Sequence, residues 1–325
     1  MRRLVVTGGA GFIGSHFIRE ILKRRTDVAV LNVDKLSYSG NRANIGDFEH
    51  HPRHRFLKAD ICNRSLMDRV CRGVWGVVNF AAETHVDRSI HDVRPFLRTN
   101  VLGIEALLHA ARGARVKRFL QISTDEVYGS VTHGRAREDA PLLPNNPYAA
   151  SKAAGDGLVR AYGVTYGMPV VIARSTNNFG PYQYPEKIIP LFITNLLAGR
   201  RVPLYGRGQH GRDWIYVIDN VRALDLILDK GKPGEVYNVG GGRAISNLLL
   251  TRTLLGILGR PARFISYVAD RPGHDLRYCL DVRKLRGLGF RRSHDFKSAL
   301  RETAQWYAAH AAWWRRLKNN RYTAK

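Results

Sequence analysis

The stretch Leu4-Val5-Val6-Thr7-Gly8-Gly9-Ala10-Gly11-Phe12-Ile13-Gly14 decides the fold. The apolar, β-branched run from Leu4 to Thr7 reads as a buried strand, and Ile13 to Leu22 carries apolar residues at helical spacing. Between them G-x-x-G-x-x-G makes the turn, where missing side chains let a pyrophosphate approach the N–H groups of the helix start. Val28 to Val33 is a second strand candidate, closed by Asp34 twenty residues after Gly14. A carboxylate there can bind both ribose hydroxyls of a dinucleotide and repels the extra phosphate of NADP, so NAD is the cofactor expected.

Outward from this unit, apolar runs at Val77 to Phe80, Phe119 to Ser123 and Val170 to Ala173 alternate with helical stretches around Pro95 to Arg112 and Tyr148 to Tyr166. The alternation predicts an α/β fold: a Rossmann-like, doubly wound parallel sheet, with a smaller mixed α/β substrate-binding lobe toward the C-terminal side. After Arg174 the pattern changes. Asn177 to Pro185 is turn-rich, and Ile188 to Leu197 looks helical. Trp214 to Val217 and Val236 to Val239 read as strands returning to the sheet, and the helices from Ser246 and Phe296 are assigned to the lobe. The expected division is 1–176 for the NAD domain, joined by a returning segment at 212–240, with 177–211 and 241–318 as the lobe and 319–325 as a polar tail.

The chain has 325 residues, 44% of them hydrophobic, enough to bury a sizeable core. Its basic start, Met1-Arg2-Arg3, precedes an apolar run that stops at Thr7-Gly8-Gly9, too short for a signal peptide or a membrane span. A soluble, cytoplasmic protein without a membrane partner is expected. Cys62, Cys71 and Cys279 lack C-x-x-C spacing and a histidine pattern, so neither a disulfide framework nor a metal site is read from them. Lysine and arginine exceed the acidic residues, 52 to 27, and the net charge of +25 would attract any polyanion. The basic residues are scattered in short clusters such as Lys23-Arg24-Arg25, without an aromatic-interleaved strip. No specific nucleic-acid partner is expected.

Three further clusters carry chemistry. Asp60-Ile61 follows the third strand candidate, where a polar group can meet the adenine, and the small residues of Ala81-Ala82-Glu83-Thr84 would let the backbone approach the cofactor. Tyr148 and Lys152 form Y-x-x-x-K at a helix start, with phenol and ammonium on one face. To act as a base near neutrality the phenol must fall roughly three units from ~10, about 4 kcal/mol, and the ammonium with a positive nicotinamide is the expected source. Ser123-Thr124-Asp125-Glu126 ends a strand at the sheet's carboxyl edge, where two carboxyls of different environment can serve as acid and base.

With these residues in hand, the chain resembles the extended short-chain dehydrogenase/reductases, and within them the dTDP-glucose 4,6-dehydratase family. The resemblance rests on Val6 to Gly14, Asp34 to Asn41, Ala81 to Ser89, Ser123 to Gly129, Pro147 to Lys152, Asn177 to Lys187, Arg212-Asp213-Trp214 and Asp270 to Tyr278. It implies a redox-neutral reaction in three steps: oxidation at C4 with Tyr148 as base and Thr124 on the same oxygen, elimination of water with Glu126 at C5 and Asp125 at C6, and hydride return to C6. It further implies cofactor contacts from Gly8, Gly11, Phe12, Ile13, Gly14, Asp34, Lys35, Leu36, Ser37, Asp60, Ile61, Ala81, Ala82, Glu83, Thr99, Tyr148, Lys152 and Asn178. Contacts to a nucleotide-diphosphate sugar are implied for Thr84, Thr124, Asp125, Glu126, Asn177, Lys187, Ile188, Pro203, Tyr205, Arg212, Asn247, Arg271, His274 and Tyr278. Members are typically homodimers packed through the helices near Pro95 to Arg112 and Tyr148 to Tyr166.

Phe179 stands where the family commonly has tyrosine, Arg207 where it has an acidic residue and Asn220 where it has histidine. These departures leave the nucleotide open between dTDP and UDP or another base. Three other readings stay open: a UDP-sugar 4-epimerase or decarboxylase, which shares the glycine motif, Tyr148 and Lys152; a non-catalytic Rossmann protein that binds nucleic acid; and an NAD-sensing interaction protein. The Asp125-Glu126 pair separates the first from a dehydratase, because an epimerase needs no C5 base or C6 acid.

Overall fold

A computed structural model of the chain describes residues 1–270 and 275–319. Its strands in chain order are β1 (Arg2–Thr7), β2 (Val28–Asp34), β3 (His54–Lys58), β4 (Gly76–Asn79), β5 (Arg118–Thr124), β6 (Val170–Ser175), β7 (Asn177–Phe179), β8 (Val202–Tyr205), β9 (Gly211–Tyr216), β10 (Val236–Val239), β11 (Ala244–Ser246) and β12 (Ile265–Val268). Seven of them form one parallel sheet in the order β10-β6-β5-β4-β1-β2-β3. The order reverses between β1 and β4, and the crevice at such a switch point is where ligands bind in open α/β sheets.

The sheet is buried on both faces because its strands are apolar at successive positions, and alternate side chains fall into two separate cores. Leu4 and Val6 of β1, Leu120 and Ile122 of β5, and Val171 and Ala173 of β6 join one core with Phe17, Ile18 and Ile21 of the helix Phe12–Arg24. Val5, Phe119, Val170 and Ile172 join the other, with Leu107, Leu108 and Val159 of the helices Ile104–Gly113 and Pro147–Tyr166. The Rossmann-like fold expected from the sequence is thus borne out.

One expectation is corrected. Val236–Val239 does return to the main sheet, pairing β6, but Trp214 to Tyr216 lie in a separate three-stranded sheet, β11-β9-β7, and Val217 opens the helix Val217–Lys230. The outer edge of β6 is taken by β10, and Trp214 and Tyr216 bury their rings against Phe179. The helix Val217–Lys230, not read from the sequence, covers the first core beside Phe12–Arg24, where Asp225 lies 2.8 Å from Arg25. A two-stranded sheet of β8 and β12 completes the smaller part. The helical stretch from Arg94 to Gly113 has the extent expected, but Arg98–Gly103 winds as a π-helix and holds Thr99 and Asn100 inside.

Candidate active site

A cleft opens along the carboxyl ends of the sheet. At its floor Gly8 follows β1 with φ +70°, and a Cβ there would lie 2.6 Å from the Ala81 backbone nitrogen; one on Gly14 would lie 2.3 Å from the Gly8 carbonyl oxygen. Side chains at these two positions would collide with the backbone and force the turn apart. Gly11 caps the helix Phe12–Arg24 without a side-chain bond, leaving the first N–H groups as donors for an anion. Asp34, at the end of β2, accepts from the Ala10 and Leu36 N–H groups at 2.9 and 2.7 Å, so the carboxylate is fixed while its remaining lone pairs stay available.

The remaining cradle is tied together behind this surface. Lys35 Nζ reaches Glu83 at 3.1 Å and donates to Thr99 Oγ1 at 3.1 Å. Asn100 accepts from the Glu83 N–H and donates to the Glu83 carbonyl and to Ser151 Oγ, clamping the loop after β4 onto the π-turn and the Tyr148 helix. The amide oxygens of Asn177 and Asn178 are buried without a partner among the described residues, two acceptors at the cleft wall for a bound amide or hydroxyl. These features fit a dinucleotide.

The reactive groups meet because β5 and β6 are neighbours in register, Thr124 opposite Ser175, so that the residues just beyond each strand converge. Thr124 Oγ1 accepts from the Glu126 N–H at 3.2 Å and donates to Asp125 Oδ1 at 3.3 Å. Tyr148 is set by a helix start that the sequence builds well: Asn146 accepts from the Ala149 N–H, Pro147 opens the first turn, and the Tyr148 N–H donates to Ser89 Oγ. Its phenol hydrogen-bonds Thr124. Four residues on, Lys152 donates from Nζ to the Ile122 carbonyl at 2.8 Å. Behind it lies the buried ion pair of Asp156 and Arg174, 2.9 Å apart.

Burial decides the protonation states. It pushes the Asp125 carboxyl up to about 8, with the help of Glu126's charge; the Thr176 hydroxyl opposes this only when it donates to the ionised form. It lowers the Lys152 ammonium to about 8, against the pull of Asp156. The protein's own groups act the other way on Tyr148: burial and then the charge of Glu126 raise the phenol well above its ordinary range, so the lowering expected of a base falls to Lys152 together with a positive nicotinamide. The Lys152 ammonium is bound to the Ile122 carbonyl, and two carboxyls crowd the phenol.

Most residues read from the sequence line this cleft, the five proposed reactive groups and Gly8, Asp34, Asp60, Thr84, Thr99, Asn177, Asn178 and Lys187 among them. Leu36, Glu83, Ile188, Pro203, Tyr205, Arg212, Asn247 and Tyr278 lie outside its lining. Several of these sit in the smaller sheets, where the Arg212 guanidinium stacks 4.6 Å from the Tyr278 ring and donates to the Asp275 carbonyl. Arg271 and His274 fall outside the described residues. Sequence reasoning missed Tyr38, Ser175, Thr176, Gln183, Tyr184 and Glu186, all of which line the cleft. Tyr38 stood near Asp34, and Gln183 and Tyr184 in the turn-rich stretch; Ser175, Thr176 and Glu186 flank that stretch and carried no signal of their own.

None of the three departures lines the cleft. Phe179 is buried against Trp214, Tyr216 and Phe296; Asn220 accepts from Ser175 Oγ at 2.9 Å; Arg207 is exposed. Phe179→Tyr is therefore expected to lower stability by about 1–3 kcal/mol in urea unfolding, by burying a hydroxyl among rings, without changing which nucleotide is accepted. A switch in nucleotide preference would show that the ring reaches the substrate.

Comparison with known proteins narrows the chemistry. The family model described as GDP-mannose 4,6 dehydratase matches residues 5–303. The chain belongs to that family. A dTDP-glucose 4,6-dehydratase of Streptomyces niveus is 49% identical over 98% of this chain and 96% of its own length. Among solved structures, the Streptomyces venezuelae dTDP-glucose 4,6-dehydratase DesIV, with NAD and dTDP bound, superposes with a TM-score of 0.94 at 49% identity, covering 97% of this chain and 99% of that one. The UDP-glucose 4-epimerase of Thermus thermophilus, in complex with NAD, reaches 0.88 at 31% identity, covering 95% and 99%. Fold alone therefore does not separate a 4,6-dehydratase from an epimerase.

Proposed function

We propose that this chain is an NAD-dependent dTDP-glucose 4,6-dehydratase, which turns dTDP-glucose into dTDP-4-keto-6-deoxyglucose. The observation that carries the reaction is the Asp125-Glu126 pair at the cleft beside Tyr148, with burial holding Asp125 in its acid form near neutrality. The identity of about 49% to a curated dTDP-glucose 4,6-dehydratase over nearly the whole chain supports the nucleotide.

NAD bound along the glycine turn and Asp34 supplies the hydride acceptor for C4 and the hydride donor for C6. Tyr148 takes the proton of the C4 hydroxyl, with Thr124 donating to the same oxygen and Lys152 supplying the positive charge that the raised phenol requires. The ketone formed acidifies the C5 proton, which passes to Glu126. Asp125 protonates the C6 hydroxyl, the C6–O bond breaks and water leaves. Glu126 returns its proton to C5 as C6 is reduced, and exchange with solvent carries the proton gained at Tyr148 back to Asp125.

The deciding experiment incubates the protein with dTDP-, UDP-, GDP- and CDP-glucose and identifies the products. The 4-keto-6-deoxy sugar should form fastest from dTDP-glucose. An epimer without that product would sink the dehydratase reading. Asp34→Asn leaves one of the two N–H groups on Asp34 without an acceptor, so NAD affinity should fall about tenfold or more in a fluorescence titration. Unchanged affinity would remove Asp34 from the cofactor site.

The same reading takes the protein to be a cytoplasmic homodimer and divides it into an NAD domain, 1–176 with the part of the expected segment 212–240 that packs on the main sheet from Val217 on, and a sugar-nucleotide lobe. The pairing surface is supported by Leu97, Leu102, Val164 and Tyr166, apolar residues 45–72% exposed on the helices at 94–113 and 147–166. Among the described residues, no helix is long and apolar enough to cross a membrane.

A further inference from the structure

Thr176 is the first residue beyond β6, as Asp125 is the first beyond β5, and the Thr124–Ser175 register brings them together. It is 4% exposed, lines the cleft, and is held by its N–H donating to the Val239 carbonyl at 2.9 Å. Its hydroxyl oxygen stands 2.7 Å from Asp125 Oδ2 and 3.0 Å from the backbone carbonyl oxygen of Asp213. Two such contacts need two protons, and a threonine hydroxyl carries one. An ionised carboxylate and a carbonyl are both acceptors only, so an ionised Asp125 leaves one contact without a hydrogen. A protonated Asp125 completes both: Oδ2–H donates to Thr176 Oγ1, and Thr176 donates to the Asp213 carbonyl.

We infer that Thr176 is a positioning residue for the acid step: its oxygen accepts the hydrogen bond of the Asp125 Oδ2–H group in the resting site and, once that proton has gone to the C6 hydroxyl and water has left, its hydroxyl rotates to donate to the new carboxylate. The inference rests on the general-acid role proposed above for Asp125. Rotation of one O–H bond moves a single donor between two acceptors already in place, so no backbone movement is needed. The charged and titratable groups around Asp125 are Glu126 beside it, Asp213 and Arg212 on β9, and Tyr148 on the facing helix. Thr176 is not ionisable, so its effect on the pH profile is through the hydrogen bond alone.

The test compares Thr176→Val with Thr176→Ser in the NAD-bound protein, following bound NADH and product in single turnovers across the pH range. Thr176→Val should slow elimination about tenfold and move its alkaline limb down by about one pH unit, since the acid form loses its acceptor, while C4 oxidation stays within about twofold. Thr176→Ser should restore both. A limb that is unmoved, or that moves up, would overturn the inference, the latter because Thr176 would then be a donor to an ionised Asp125. Should Thr176→Val not fold, the infrared spectrum of the wild-type protein carries the question. A protonated-carboxyl band at neutral pH that disappears in Asp125→Asn supports the arrangement, and absence of that band overturns it. A wild type that makes no 4-keto-6-deoxy sugar overturns the dehydratase reading itself, whereas an active wild type with an unmoved limb removes Thr176 alone.

Discussion

Tyr148→Phe is expected to stop the reaction before hydride leaves C4, lowering turnover by about 10³- to 10⁴-fold, the upper part of the range for losing a positioned acid–base group. Phenylalanine keeps the ring that packs 6.3 Å from Phe96, and the backbone bond to Ser89 does not depend on the hydroxyl. What is lost is the one oxygen that hydrogen-bonds Thr124 and can receive the C4 proton. In single-turnover absorbance, bound NADH should form slower by the same factor. Because burial and Glu126 raise the phenol, its base form depends on positive charge beside it, and Lys152→Met should fail at the same step. Appearance of bound NADH at the wild-type rate in Tyr148→Phe would remove Tyr148 from the role of base.

Asp125→Asn should divide the reaction at a different place. The amide keeps the shape of the carboxyl and can still donate to Thr176, so the site stays assembled, but it has no proton to give to the C6 hydroxyl. Elimination is expected to slow by about 10²- to 10³-fold while C4 oxidation continues, so bound NADH accumulates instead of passing through. The pH dependence follows from the raised carboxyl. Asp125 is an acid below its value of about 8 and a carboxylate above it, so elimination in the wild-type protein should fall as pH rises through about 8. That limb should vanish in Asp125→Asn. Its survival there would assign the limb to another group, such as Lys152, which loses its proton in the same range.

Legibility differed between the parts of the molecule for a physical reason. The strand, glycine turn and helix at Leu4 to Leu22 were readable because each element is decided by residues within a few positions: apolar runs for strands, 3.6-residue spacing for the helix, a turn that tolerates no side chain. Lys152 was readable from Tyr148 because a helix fixes the geometry of residues four apart. Trp214 to Tyr216 were misassigned because a strand's sequence states its propensity and not its partner, and here β10 had taken the edge of β6 while Phe179 offered an aromatic surface.

By itself the sequence determined the Rossmann-like sheet, the glycine cradle with Asp34 and the presence of Thr124, Asp125, Glu126, Tyr148 and Lys152 in one cleft. The raised carboxyl of Asp125, the raised phenol of Tyr148, the lowered ammonium of Lys152 and the place of Thr176 between Asp125 and the Asp213 carbonyl were decided only by tertiary structure. Residue type sets what a group can donate or accept. Whether it holds its proton depends on burial and on neighbours far away in the chain, such as Thr176, fifty-one positions from Asp125, which comes beside it only when β5 and β6 pair.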